Sequence, residues 1–421
     1  MTKTTHLHPS DLRGFARLAT QATAGLADLV EAMHHTVARR GAGAAQAPAR
    51  MRGIAGLVYK SVRGVTRLVG GGLDALLGRL RPELQGRASS PEREAVLAAL
   101  NGVLGDYLAA TGNPLAIPMS LRRNGRALVL ETQALAAAFP QAGGKLAVLA
   151  HGLCLNDLQW EREGHDHGAV LARDLGYSCL YLHYNSGLHT STNGRALAGL
   201  LEVLLGQWPH PVEELAIVAH SMGGLVARSA CHYGPIAGHA WPRHLRRLAF
   251  LGTPHLGAPM ERGGNWVDAV LGAAPYAAPF ARLGKIRSAG ITDLRHGNVL
   301  DEHWEGRDRF ARAHDIPRFV PLPDGVDCYA MAATTGKKRG DLRDRLLGDG
   351  LVPVSSALGL REGSRRSLRI PKSRQWIGYG MSHLDLLGRA EVSDRLVRWF
   401  APGPGTGRPT GRSTRTPAAG D

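Results

Sequence analysis

The stretch Leu215-Ala216-Ile217-Val218-Ala219-His220-Ser221-Met222-Gly223-Gly224-Leu225-Val226 decides the architecture of this chain. An apolar run with the profile of a buried strand stops at a serine, and a helical pattern begins directly after it. Such a pattern places the serine on a strained strand-to-helix turn, a nucleophile elbow. A bulky residue two positions to either side would meet neighbouring backbone, so both places call for small side chains. Gly223 satisfies this after the serine, and Ala219 stands where glycine is usual before it, adding one methyl group. Ser221 is thereby placed at a helix N-terminus, where amide dipoles favour developing negative charge.

The flanking sequence repeats the same rhythm. Short apolar runs occur at Leu146–Ala150, Cys179–His183, Leu215–Ala219, Leu248–Leu251, Cys328–Ala332 and Gln375–Tyr379, with helical patterns such as Gly194–Leu205 and Leu225–Cys231 between them. Near-continuous apolar strands alternating with helices predict an α/β fold: a mostly parallel central sheet with helices on both faces. Ahead of them, apolar runs at 117–122 and 126–131 flank Arg123-Asn124-Gly125, and Asn-Gly between two such runs predicts a hairpin. The segment 258–320 breaks the rhythm with Ala/Gly-rich helical pieces (Trp266–Leu271, Pro275–Leu283) and is expected to form a helical cap or lid over the strand C-termini.

The catalytic domain is therefore expected at 115–400, preceded by a basic, amphipathic N-terminal helical extension (1–114). Within the extension, residues 11–40 place Leu12, Phe15, Leu18, Ala22, Leu26, Leu29, Val30 and Met33 at helical spacing. A linker at 41–48 leads to a second helical pattern at 51–81, whose charges are Arg52, Lys60, Arg63, Arg67, Arg79 and Arg81 against Asp74. Such a helix suits either a membrane interface or packing onto the catalytic domain, and Gly70-Gly71-Gly72 should break or kink it. A third helix is marked by Ser90 as N-cap, Pro91 at the first position, acidic Glu92 and Glu94, and Gly112 as its end. The tail after residue 400, rich in Pro, Gly, Thr and Arg, is expected to be disordered.

Composition bounds the possible partners. The 421 residues are 44% hydrophobic, as expected of a globular chain with a sizeable core, and carry a formal net charge of +16. The arginines are spread along the chain with few aromatics beside them, so a specific nucleic-acid site is not expected. Contact with an anionic membrane surface, or with an acidic substrate, fits the charge better. The four cysteines are scattered without a C-x-x-C pair, which suits a reducing compartment. No secretory leader and no apolar run long enough to span a bilayer is read at the sequence level, so a cytoplasmic location is expected, with peripheral contact at the inner membrane surface.

A serine hydroxyl needs a base, and the base needs an orienting group. In this topology the acid and then the histidine follow the serine in sequence. Asp349, in Gly348-Asp349-Gly350-Leu351-Val352-Pro353, is placed at a strand end; Asp341 and Asp344 compete from a charge-dense run. Of nineteen histidines, His383 in Gly380-Met381-Ser382-His383-Leu384-Asp385 follows the last strand and lies past the acid. The oxyanion donors expected are the backbone amides of Met222 and of Leu153, the latter in the turn His151-Gly152-Leu153. Cys154, beside that turn, reads as a small apolar filler.

Taken together, Ala-His-Ser-Met-Gly-Gly, His-Gly-Leu, Leu-Gly-Thr-Pro-His-Leu-Gly-Ala (251–258), Asp-Gly-Leu-Val-Pro and Ser-His-Leu-Asp resemble the α/β-hydrolase lipases and esterases. The likeness is to bacterial triacylglycerol lipases and the GPI inositol-deacylase-like group, and spans roughly residues 117–400. It implies the α/β-hydrolase fold, a Ser221–Asp349–His383 triad, and a lipid or small-molecule ester as substrate. An acyltransferase, a thioesterase or a non-catalytic membrane-associated scaffold would share these motifs. No cofactor is implied. Some bacterial lipases hold a structural calcium ion near the histidine loop, which would here engage Asp385 and Asp327; the sequence favours Asp385 as a cap of the following helix instead.

Overall fold

A computed structural model describes residues 10–22, 60, 89–258, 288–308, 318–337, 348–361 and 367–401. The helical patterns at 23–40 and 51–81, the pieces Trp266–Leu271 and Pro275–Leu283, Asp341, Asp344 and the tail beyond 401 lie outside the described residues. After helix α1 (10–22) come α2 (Pro91–Ala110), β1 (Ser120–Arg123), β2 (Arg126–Ala127), α3 (Thr132–Ala138) and β3 (Lys145–Ala150). Next are β4 (Glu161–Arg162), β5 (His165–Asp166), α4 (His167–Leu175), β6 (Ser178–His183), α5 (Thr190–Gln207) and β7 (Glu214–His220). The chain continues through α6 (Met222–Ile236), β8 (Leu245–Leu251), α7 (Ala289–His296), β9 (Asp327–Thr334), α8 (Val354–Ala357), β10 (Gln375–Tyr379) and α9 (Ala390–Phe400).

Eight strands form the main sheet in the order β10-β9-β8-β7-β3-β6-β1-β2. The six from β10 to β6 are parallel, and each coincides with an apolar run read from the sequence. The hairpin β1–β2 adds antiparallel to β6, turning through Asn124 and Gly125 with φ of 51° and 72°. Both central residues being left-handed explains the Asn-Gly pair. Parallel strands must be covered on both faces, and the buried β3 and β7 (Leu146–Ala150, Leu215–His220) show it.

The sheet is laid down from the middle. From β3 the chain moves outward to β6, then crosses back over β3 to β7 and onward to β8. Right-handed crossovers then put α4 on one face and α5 and α6 on the other. The packing agrees: α5 lies against α6, and α4 against α9. The strand order reverses between β3 and β7, and the C-terminal ends at such a point open a crevice where ligands bind in α/β sheets. Gly152 and Ser221 follow those two strands.

The described part of the N-terminal segment packs on the rest of the chain through α2. Ser90 caps α2 by accepting from the Arg93 amide, and Pro91 fills its first position, as expected. Phe15 and Leu18 of α1 pack on a second apolar cluster with Leu97, Leu100, Leu108 and Leu115 of the α2 region. Leu12 departs from the expected inward face and is 48% exposed, while Asp11 is buried. The reason is a two-pronged ion pair, Asp11 to Arg93 Nε and Nη2 at 2.5 and 2.6 Å, which turns the start of α1 acid-side inward. Among the described residues, no helix is long and apolar enough to cross a membrane.

Candidate active site

Ser221 has φ 54° and ψ −123°, a left-handed conformation that a side chain other than glycine adopts only under local compulsion. The compulsion comes from both sides. Its amide donates to Leu251 O at 2.8 Å, and its carbonyl accepts from the Gly224 amide at 3.1 Å. A Cβ on Gly223 would stand 2.5 Å from Ala150 O and 2.6 Å from His151 O, so the small residue after the serine is a packing requirement. Ala219 is fully buried, and its extra methyl is absorbed in the core.

His383 and Asp349 meet in the loops after β10 and β9. His383 Nδ1 lies 2.7 Å from Asp349 Oδ2, and both residues are buried. The other carboxylate oxygen, Oδ1, accepts from the amides of Leu351 (2.9 Å) and Val352 (2.7 Å). Gly350 at φ 95° and Gly348 at φ 54° allow the chain to fold round the carboxylate in this way. A carboxylate so bound keeps the proton on Nδ1 of the imidazole, leaving Nε2 as the basic nitrogen. His383 Nε2 and Ser221 Oγ are both buried and form no hydrogen bond with one another here; such bonds are often long before a substrate closes them.

The histidine loop is held by neighbours as much as by the acid. His220 Nε2 lies 3.1 Å from His383 O, and the two rings stand 4.6 Å apart. Burial, together with the adjacent His383, drives the His220 pKa far below the ordinary histidine range, so His220 is a neutral support. His167 Nε2 reaches Leu386 O at 2.9 Å, tying the loop to the start of α4. Asp385 Oδ2 accepts from the Ser382 amide at 2.8 Å while the Ser382 hydroxyl accepts from the Asp385 amide at 3.3 Å. Asp385 also faces Arg389 at 3.6 Å, and Asp327 pairs with Arg374 at 2.7 Å. Each of the two carboxylates thus faces an arginine.

Sequence reading missed the residue that orients the oxyanion turn. His151 Nδ1 donates to Gly152 O at 2.8 Å, and Leu155 N donates to the same oxygen at 3.3 Å. A trans peptide is planar, so fixing the Gly152 carbonyl aims the Leu153 N–H the opposite way. Gly152 lies against the nucleophile: a Cβ there would be 2.9 Å from Ser221 Cβ and 3.4 Å from its Oγ. No acceptor for the Leu153 or Met222 amide is found among the described residues. His151 is itself locked, stacked 4.4 Å from Tyr184, whose hydroxyl donates to His151 O at 2.8 Å. Burial pushes its pKa down to about 3, so it stays neutral with its proton on Nδ1. The signal lay in the His-Gly-Leu motif, but the role depends on a ring orientation that sequence does not display.

Two further elements close over this turn. Cys154 follows it at φ 58°, its amide donating to Ser186 Oγ at 3.0 Å, and burial pushes its thiol up to about 12. It is a filler, as expected, and an inert one. Helix α7 arrives beside it: Gly290 N donates to Gly187 O at 3.0 Å, and a Cβ on Gly290 would meet Met222 Cε at 3.0 Å.

A serine on a strained turn after β7, an Asp–His pair after β9 and β10, and a sheet wound outward from β3 define an α/β-hydrolase fold. Residues 187–320 match the family model of the PGAP1-like alpha/beta domain. Among solved structures, the chain is similar to a mature lipase of Bacillus licheniformis at 18% identity and a TM-score of 0.38, covering 59% of this chain and 88% of that one. It is also similar to a lipase-esterase related protein from Clostridium acetobutylicum (12% identity, TM-score 0.35, 62% and 96% covered). A Pyrococcus furiosus esterase matches at 12% identity and a TM-score of 0.35, with 62% and 81% covered. A comparison with curated protein sequences returns no match.

Proposed function

We propose that the protein is a serine carboxylic-ester hydrolase acting on apolar acyl or lipid esters through an acyl-enzyme. Ser221 Oγ attacks the acyl carbonyl while His383 Nε2 takes its proton, and the tetrahedral oxyanion receives the amides of Leu153 and Met222. His383 then returns the proton to the leaving alkoxide, and the acyl group stays on Ser221. A water molecule, deprotonated by His383, releases the carboxylic acid by the reverse sequence. Asp349 holds the Nδ1–H tautomer and offsets the charge of the imidazolium. The observation that carries this reading is the conjunction of Ser221 at φ 54° with the 2.7 Å His383–Asp349 contact.

The preference for an apolar acyl group rests on residues 266–280, where Trp266, Val267, Val270, Leu271, Tyr276 and Phe280 accompany the single charge of Asp268. The excess of basic residues suits peripheral contact with an anionic membrane that presents the substrate. Hydrolysis of p-nitrophenyl esters from acetyl to palmitoyl, with Ser221→Ala as control, tests the proposal. Activity rising toward longer chains and lost in the variant supports it. Inactivity throughout, with no labelling of Ser221 by a fluorophosphonate, overturns it.

A further inference from the structure

Arg228 projects from α6 into the protein and is 5% exposed, yet no carboxylate among the described residues lies against it. Its Nη2 donates to Val320 O at 2.6 Å and its Nη1 faces His255 Nδ1 at 3.5 Å. Among the described residues its Nε–H has no acceptor. Burying a guanidinium costs several kcal/mol unless a counter-charge accompanies it, and buried charges are ordinarily paired. Burial lowers the Arg228 pKa to about 10, which still leaves it charged at neutral pH.

His255 does not relieve the imbalance. Burial and the adjacent Arg228 drive its pKa far below the ordinary histidine range, so it is neutral. With Nδ1 turned to the arginine as acceptor, its proton sits on Nε2, and that buried atom also has no partner among the described residues. Phe250 fixes the plane of the ring, meeting it at 89° with centroids 4.6 Å apart.

Both side chains line a cavity of ≈ 70 Å³ whose other polar walls come from His296, His303, Arg318 and Arg361, with no carboxylate among the described lining residues. By the space one buried water needs, this is room for roughly five heavy atoms, the size of a tetrahedral oxyanion. Arg318, 65% exposed, stands at the mouth and pairs there with Glu302 at 3.2 Å. We propose that this cavity binds a phosphate-class oxyanion, held by Arg228 Nε–H and His255 Nε2–H from within and by Arg318 and Arg361 around it.

The backbone of 251–258 borders both the cavity and the catalytic loop. At one end of that stretch a Cβ on Gly252 would stand 3.0 Å from His383 Cε1, and at the other His255 lines the cavity. Arg228 lies seven positions after Ser221 along α6, a rise of about 10 Å. The oxyanion is therefore either free phosphate or the phosphorylated head group of an ester whose acyl carbon lies at Ser221.

Calorimetric titration of the full chain with inorganic phosphate at constant ionic strength tests the proposal without reference to catalysis. Saturable binding is expected, weakened ~10-fold or more by Arg228→Gln, a loss of one charge-assisted contact. Because Arg228→Gln can fail to fold, the double variant Arg318→Ala/Arg361→Ala, altered nearer the surface, serves as the second probe and should weaken binding several-fold. No saturable binding to the wild type, or equal affinity in wild type and the folded variants, overturns the site. Given binding, competition between phosphate and a glycerophospholipid ester, absent with a neutral ester, supports the site as a head-group pocket. Binding without competition supports it as a site for free phosphate.

Discussion

His151 Nδ1 sits 2.8 Å from the carbonyl oxygen of Gly152, and together with the longer Leu155 amide contact to that oxygen it sets the direction of the Leu153 amide. The imidazole touches no reacting atom, so it is a positioning residue. His151→Phe keeps the ring against Tyr184 but leaves the Gly152–Leu153 peptide plane held only by the 3.3 Å Leu155 contact. A misplacement of about 1 Å at a reacting centre costs ~10² in rate, so kcat should fall ~10–10² with KM little changed. His151→Gln, which retains a donor, should recover part of it. A variant that raised KM alone would show that the turn binds substrate rather than the transition state.

Asp349 makes three strong contacts, two from the Leu351 and Val352 amides and one from His383. Asparagine in its place keeps the volume but can present an N–H to His383 Nδ1, favouring the wrong tautomer. In proteases of the same logic this substitution lowers kcat ~10⁴, and a loss of that order is expected for Asp349→Asn in ester hydrolysis. Fluorophosphonate labelling of Ser221 should slow in parallel. Unaltered labelling would remove Asp349 from the triad.

Helix α2 reaches the oxyanion turn at Gly102, where a Cβ would lie 2.2 Å from Cys154 Sγ and 3.0 Å from the Cys154 backbone. Gly102→Val should therefore destabilise by about 1–3 kcal/mol through overpacking and displace the turn carrying Leu153. Cys154→Gly removes the clashing sulfur at a position whose φ of 58° suits glycine. In a double-mutant cycle the pair should lose less stability than the sum of the single changes. Strict additivity in denaturant unfolding would mean that α2 does not bear on the turn.

The sheet was legible because each of its six parallel strands is a short apolar run, and such runs owe their pattern to burial on both faces. Ser221, Asp349 and His383 were read from chain order at strand ends, with Asp341 and Asp344 as competing acids, and the structure brings Asp349 and His383 into contact. What stayed hidden depends on residues far apart in sequence. Periodicity put Leu12 on the inner face of α1, but the Asp11–Arg93 ion pair, spanning 82 residues, outweighs one leucine. His151 and Arg228 look ordinary in sequence; one acts through a ring rotamer, the other through the absence of an acid that only packing reveals. Gly102 and Gly105 of α2 carry no signal in sequence; their need for glycine shows only when Cys154 and Asn185 are seen against them.

The protein should lose stability in mild acid, and His167 is a defined contributor. It is fully buried, donates from Nε2 to Leu386 O at 2.9 Å, and faces His165 Nε2 at 3.2 Å from Nδ1. His165 is shared in turn with Ser393 of α9 at 3.0 Å. Burial lowers the His167 pKa from 6.5 to about 4. Between those values the unfolded chain takes up a proton that the folded chain refuses, so stability is full above about pH 6.5 and falls as pH drops toward 4. At 1.36 kcal/mol per pKa unit, the contribution lost across this window is on the order of 3 kcal/mol. His167→Gln can keep the bond to Leu386 O but cannot take up the proton. Its urea midpoint should therefore fall less steeply than the wild type between pH 6.5 and 4.5. Parallel slopes for the two proteins would assign the acid sensitivity elsewhere, first to the neutral imidazoles of His220 and His255.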